Sequence, residues 1–164
     1  MTRRWPARCA SPPASHYILP AILARLRAEE PRIEIELVPS DTTENLLFRE
    51  ADIAVRMYRP EQLDVVTRKV AEFPIGLYAA RTYVARRGVP AEPAELARHD
   101  LVGYDRSSLM IRAARRLGWE LAREAFAVRC DNQSAHWELV RAGCGIGGGL
   151  CVIGDADPGL VRIL

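Results

Sequence analysis

Residues 15–38, SHYILPAILARLRAEEPRIEIELV, change hydrophobic period partway along, and that change constrains the fold more than any other feature. Ile18, Leu19, Ile22, Leu23 and Leu26 recur at helical spacing between Ser15 and Glu30, and Pro31 stops the pattern. The IEIELV stretch from Ile33 to Val38 then alternates apolar and charged residues with period two, as a strand half-buried on one face does. A helix leading directly into a one-faced strand is the start of an α/β pattern.

The alternation continues along the chain. Asp41 or Thr42 can cap a short helix through TENLLFRE, because their side-chain oxygens accept the free amides of a first turn. DIAVRM follows as a short buried strand. VVTRKVAE and PIGLYAA read as two more strands, the second apolar enough to lie centrally in a sheet. RTYVARRG is helical, Pro90 and Pro93 flank a capped turn into AELARH, and LVGY is a strand followed by the helix LMIRAARRLG. FAVRC is a strand and SAHWELVRAG a helix that Gly143 ends; CGIGGGLCVI is a glycine-rich strand or loop, and DPGLVRIL a turn and strand. Strands alternating with helices predict βαβ units and mostly parallel sheets. Tyr78 to Arg81 and Gly154 to Pro158 read as two crossovers between lobes, which implies a hinged cleft.

Charge and length narrow the function. The 164 residues allow one domain or two small lobes, and 23 Lys plus Arg against 21 Asp plus Glu leave a net charge of +2, too balanced for the basic stripe of a nucleic-acid binder. No apolar run approaches the roughly 20 residues that cross a bilayer, and no apolar signal segment follows the basic start MTRRWPARCASPPAS, so a cytoplasmic location is expected. Cys9, Cys130, Cys144 and Cys151 form no paired motif, which makes reduced thiols the expectation.

Three segments in order resemble the effector-binding domain of LysR-type transcriptional regulators: YILPAILARLRAEEPRIEIELV, ENLLFREADIAVRM with Asp52, Ile53, Ala54 and Val55, and ELVRAGCGIGGG with Val140, Ala142, Gly143, Gly145 and Ile146. DPGLVRIL at the expected position adds a fourth. The resemblance runs from about Ala10 to Leu164. It implies a two-lobed, periplasmic-binding-protein-like (type II) α/β fold with mixed, mostly parallel sheets, lobe I comprising residues 10–80 plus 156–164 and lobe II residues 81–155. The family's domains bind a small-molecule effector between the lobes, where helix N-termini favour small organic acids. By position, Ser11, Thr42 and Thr43 of lobe I and Tyr104, Asp105, Ser107, Asn132, Gln133 and Ser134 of lobe II are the expected ligand contacts. The family's effector domains pair side by side, so a homodimer is expected, with no cofactor. Its regulators carry a winged helix-turn-helix for which this sequence has no counterpart, so the chain reads as a fragment that would reach DNA only through that missing part. RRWPARC, in residues 1–9, reads as an irregular N-terminus or a degraded first strand, because Pro6 removes a backbone donor and apolar alternation is missing. The end at Leu164 makes the first lobe expected to be incomplete.

Other chemistries fit less well. Gly143, Gly145 and Gly148 spell the dinucleotide motif, but here it ends a helix and opens a strand, the reverse of the order phosphate binding needs, so Gly143 is read as a helix cap. Cys144, His136 and Asp131 could form a nucleophile, base and orienting acid, except that the helix spacing puts them on different faces and Cys144 beyond the helix end. An enzyme is therefore not expected, and a solute-binding protein of a transport system is the alternative binding reading. His16, His99 and His136 are too dispersed for a metal site. Trp137 is read as core, and Arg112, Arg115, Arg116 and Arg123 as a solvated helix face.

Overall fold

A computed structural model describes residues 3–9, 12–39, 53–57 and 66–164. The chain divides into two compact units, Met1–Glu72 and Phe73–Leu164.

In the first unit, β1 (Arg3–Cys9) lies between β2 (Ile33–Pro39) and β3 (Ile53–Val55) in a parallel sheet. The degraded strand expected at RRWPARC is thus a full strand in the middle of its sheet. It pairs with β2 along all its length, from Arg3 opposite Ile33 to Cys9 opposite Pro39, but with β3 only from Ala7 onward. Pro6 precedes that second ladder, a position where a strand tolerates a missing donor. The single helix expected over 15–30 is two: α1 (Pro12–Tyr17) and α2 (Leu19–Glu29), separated at Ile18. Pro20 stands in the first turn of α2, where its absent N–H costs nothing; inside one continuous helix it would break a hydrogen bond. Ala14 and Ser15 of α1 are buried, whereas no residue of α2 is. The helix expected over TENLLFRE lies outside the described residues.

Val66–Glu72 form no strand, against expectation, and Val66 and Val70 are exposed. Strand propensity takes effect through packing and pairing. Both edges of the next strand, β4 (Ile75–Ala80), are already taken, in the antiparallel order β7 (Gly147–Leu150), β4, β8 (Leu160–Ile163). β4 is therefore central, as its apolar sequence predicts. β4 and β8 pair with each other inside the second unit, Phe73–Leu164.

The second unit continues with α3 (Arg81–Arg87), a 3-10 turn at Pro93–Arg98, β5 (Leu101–Gly103), α4 (Leu109–Arg116), β6 (Phe126–Arg129), α5 (Gln133–Arg141) and α6 (Cys151–Gly154). β5 and β6 pair in parallel, and an isolated parallel bridge joins Leu101 to Ile146 just before β7. The glycine-rich stretch is a strand only as far as Leu150, after which Cys151–Gly154 turn helically.

The core of this unit gathers Tyr78, Tyr83, Leu101, Val102, Phe126, Trp137, Val140, Ile146, Leu160 and Ile163, from β4, α3, β5, β6, α5 and β8 and from the bridge residue before β7. Trp137 is buried and meets Tyr78 edge to face at 5.7 Å. Glycines in β7 permit α5 to come this close. A Cβ on Gly147 would stand 2.4 Å from Val140, and one on Gly149 2.2 Å from the Trp137 ring.

Candidate functional site

Two chain segments meet at the carboxyl ends of β5 and β6. One is the loop from Tyr104 to Ser108 that leads into α4, and the other is the start of α5. The Cys130 amide donates to the Gly103 carbonyl at 2.9 Å, so the ends of the two strands are tied by backbone. Asn132 then caps α5, its Oδ1 accepting the Ala135 amide at 2.8 Å. That bond satisfies one of the free donors of the first turn and places Gln133 and Ser134 at the positive end of the helix. At the other end Gly143, with φ of 83°, terminates α5 as the sequence predicts.

Asp131, immediately before the cap, joins the segments. Its Oδ1 accepts the amides of Asp105 at 3.1 Å, Arg106 at 3.0 Å and Ser107 at 3.2 Å, while Oδ2 faces Arg106 Nε at 3.3 Å. Partial burial disfavours the charged carboxylate, but the amides of Ser107 and Arg106, the Arg106 side chain and the Asp105 amide together outweigh it and hold the carboxyl below its ordinary 3.8. Asp105 is itself held from the far side. Arg123 donates to its carboxylate and, at 3.2 Å, to its carbonyl, and Arg129 Nε lies 3.2 Å from the carboxylate. Arg123 therefore stands apart from the solvated face of α4, on which Arg112, Arg115 and Arg116 are exposed.

Beneath the loop, Tyr104 lies against the His136 ring, with centroids 4.9 Å apart and planes tilted by 32°. His136 is 2% exposed, and its Nε2 sits 3.2 Å from the Val102 carbonyl. That geometry makes Nε2 the donor of a neutral ring. Burial lowers the imidazole's affinity for a second proton, and the Val102 carbonyl offsets this only in part.

Of the nine ligand contacts expected from sequence, Ser11, Thr42 and Thr43 lie outside the described residues. Tyr104, Asp105, Ser107, Asn132, Gln133 and Ser134 fall on the two segments that Asp131 joins. Asp131, which was weighed only as part of a catalytic triad, is the residue sequence reasoning missed in this role. No local pattern signals that role, because the amides it accepts lie 24 to 26 residues away.

The arrangement does not support the triad. The Asp131 carboxylate is committed to the loop amides and His136 to Val102, near the start of α5. Cys144 lies past Gly143 at the opposite end of the helix, with its amide bonded to the Leu139 carbonyl. Among the described residues no group of three or more His, Cys, Asp or Glu is placed to hold a metal, and no helix is long and apolar enough to cross a membrane.

Comparison with known proteins agrees with this architecture. The chain is 25% identical over 96 residues to the HTH-type transcriptional activator AaeR of Escherichia coli K12, an alignment covering 58% of this chain and 31% of AaeR. It thus spans about a third of that relative's length. In structure it resembles the regulatory domain of CrgA, a LysR-type transcriptional regulator from Neisseria meningitidis, with a TM-score of 0.84 at 20% identity over 100% of this chain and 82% of that one. It also resembles the effector domain of the regulator AmpR of Pseudomonas aeruginosa, with a TM-score of 0.77 at 17% identity over 99% and 78% of the two chains. These likenesses show the periplasmic-binding-protein-like fold of LysR regulatory domains. The family described as LysR substrate binding domain matches residues 9–160, and the chain belongs to that family.

Proposed function

We propose that the chain is the sensor of a LysR-type regulator and binds a small-molecule effector, a small organic acid being the preferred class, without catalysing a reaction on it. The observation that carries this reading is the convergence of the Tyr104–Ser107 loop and the capped start of α5 in a member of this family. Tyr104, Asp105, Ser107, Asn132, Gln133 and Ser134 are the proposed contacts on this side, and Ser11, Thr42 and Thr43 those of the first lobe. Hydroxyls and amides beside the positive end of a helix suit a carboxylate, since the helix dipole and the side-chain donors act on it together. A site placed on loops leaves the effector's identity to those loops. In a complete regulator, effector binding shifts the balance between two arrangements of paired subunits and so alters DNA contacts made by the winged helix-turn-helix. The protein is proposed to work in the cytoplasm, as a homodimer.

Thermal unfolding of the chain against a panel of mono- and dicarboxylic acids tests this. A ligand present at about a hundred times its dissociation constant stabilises the folded state by about 2.7 kcal/mol, a shift of several degrees for a domain of this size. A well-folded sample that shows no saturable shift with any acid in the panel counts against the reading.

A further inference from the structure

The loop at 105–108 is exposed and contributes nothing to the core, so hydrophobic packing does not set its shape. One carboxylate does. Three successive amides, those of Asp105, Arg106 and Ser107, point at Asp131 Oδ1 within 3.2 Å, and Arg106 Nε reaches Oδ2. Consecutive amides converging on an anion form a nest, and here the protein supplies the anion itself. Asp131 adjoins the α5 cap, so the carboxylate that folds the loop also fixes it to the start of α5.

We propose that Asp131 is the positioning residue of the effector site: its carboxylate shapes the Tyr104–Ser107 loop and sets that loop against the start of α5. The proposal rests on the effector-binding reading above, which gives the juxtaposition its purpose. It also carries a consequence for recognition. The amides of Asp105, Arg106 and Ser107 already bind a carboxylate, so the loop contributes to effector binding through side chains, Tyr104 and Ser107 above all. The backbone and α5-dipole attraction for an effector carboxylate then comes from the helix side. A loop held in its binding shape before the effector arrives loses less freedom on binding, which is how a residue that never touches the effector raises affinity.

The test uses the whole chain with D131A and D131N, followed by amide hydrogen exchange at residues 105–107 with the core amides of Tyr78 and Val102 as controls. D131A is expected to lose about tenfold or more of the protection at 105–107 while the control amides keep theirs. Added formate is expected to refill the vacated nest and restore that protection saturably in D131A, with no effect on the wild type. A residue that merely supports the fold would not be rescued in this way. D131N keeps one acceptor oxygen and is expected to fall between the two. Unchanged protection in D131A overturns the proposal, as does loss that formate does not restore. Should D131A fail to fold, D131N decides: wild-type protection at 105–107 overturns the proposal, and loss confined to those amides supports it.

A binding arm uses succinate and phenylacetate as probes, one aliphatic and one aromatic. For a probe that binds the wild type, D131A is expected to weaken affinity about tenfold and formate to recover part of it; unchanged affinity overturns the positioning role. If neither probe binds the wild type, nor any acid in the wider panel, the effector reading fails, while the formate result still decides whether Asp131 shapes the loop.

Discussion

At His136 a side chain that ionises near neutral pH is enclosed between the Tyr104 ring, the Val102 carbonyl and the backbone at Gly147. Neutral imidazole fits there, because Nε2–H has its acceptor and the ring lies against an aromatic neighbour. Adding a proton creates a cation that burial disfavours, so the folded chain takes that proton at lower pH than the unfolded chain does, whose histidine titrates near 6.5. Between those two values the unfolded state binds more protons, and stability rises with pH across that window. The contribution of His136 is therefore fully present above about pH 6.5 and is lost as the pH falls through the window below it. Urea midpoints measured from pH 8 down to 5 are expected to decline, and H136Q, whose amide can still donate to Val102, is expected to flatten the decline. An equal slope in H136Q would assign the pH dependence to other groups.

Among the elements, α5 depends most on what the strand beneath it leaves out. Val140 and Trp137 press on β7 so closely that side chains at Gly147 and Gly149 would overlap them. G149A sets a methyl 2.2 Å from the Trp137 ring, and relieving that overlap requires α5 to move away or Trp137 to leave its rotamer. Overpacking of this kind costs about 1–3 kcal/mol, so a lowered melting temperature and an altered near-ultraviolet Trp signal are expected, with effector affinity reduced because the helix start moves too. The GIGGG sequence was legible as a strand after a helix cap, yet its purpose was not, since close approach of another element leaves no periodic trace. Elsewhere the same division holds. The α2 stripe and the IEIELV alternation are local patterns and read correctly, whereas the break at Ile18 followed from Pro20 and was passed over. Val66–Glu72 carried strand residues but found no strand to pair with among the described residues. β1 carried poor strand residues and gained a partner on each side. Asp131 contacts amides 24 to 26 residues away, a separation that no window of sequence reveals.

Among the described residues, burial is unevenly shared between the two units. Every member of the hydrophobic core cluster lies between Tyr78 and Ile163, in the second unit. In the first unit the described buried residues are Ala14 and Ser15, and α2 buries none of its residues. The second unit also closes on itself. β4 enters it and β8 leaves it side by side, the Tyr78 hydroxyl donates to Asp155 at 2.6 Å, the Arg81 amide meets the Gly159 carbonyl at 2.9 Å, and Arg141 pairs with Asp157 at 2.7 Å. The two segments read from sequence as crossovers are thus hydrogen-bonded to one another. A piece with its own core and its ends on adjacent strands meets the requirements for folding alone. Residues 73–164, made as a separate fragment, are expected to unfold cooperatively with a near-ultraviolet signal from Trp137 and Tyr78, and to keep the exchange protection at 105–107 that Asp131 confers. The same fragment is expected to bind effector acids far more weakly than the whole chain, since the proposed contacts at Ser11, Thr42 and Thr43 are absent from it. Calorimetry of fragment and whole chain side by side measures both outcomes. A fragment that folds and binds as tightly as the whole chain would confine the effector site to the second unit and remove Ser11, Thr42 and Thr43 from it. One that fails to fold would show that the second unit depends on the first for its stability.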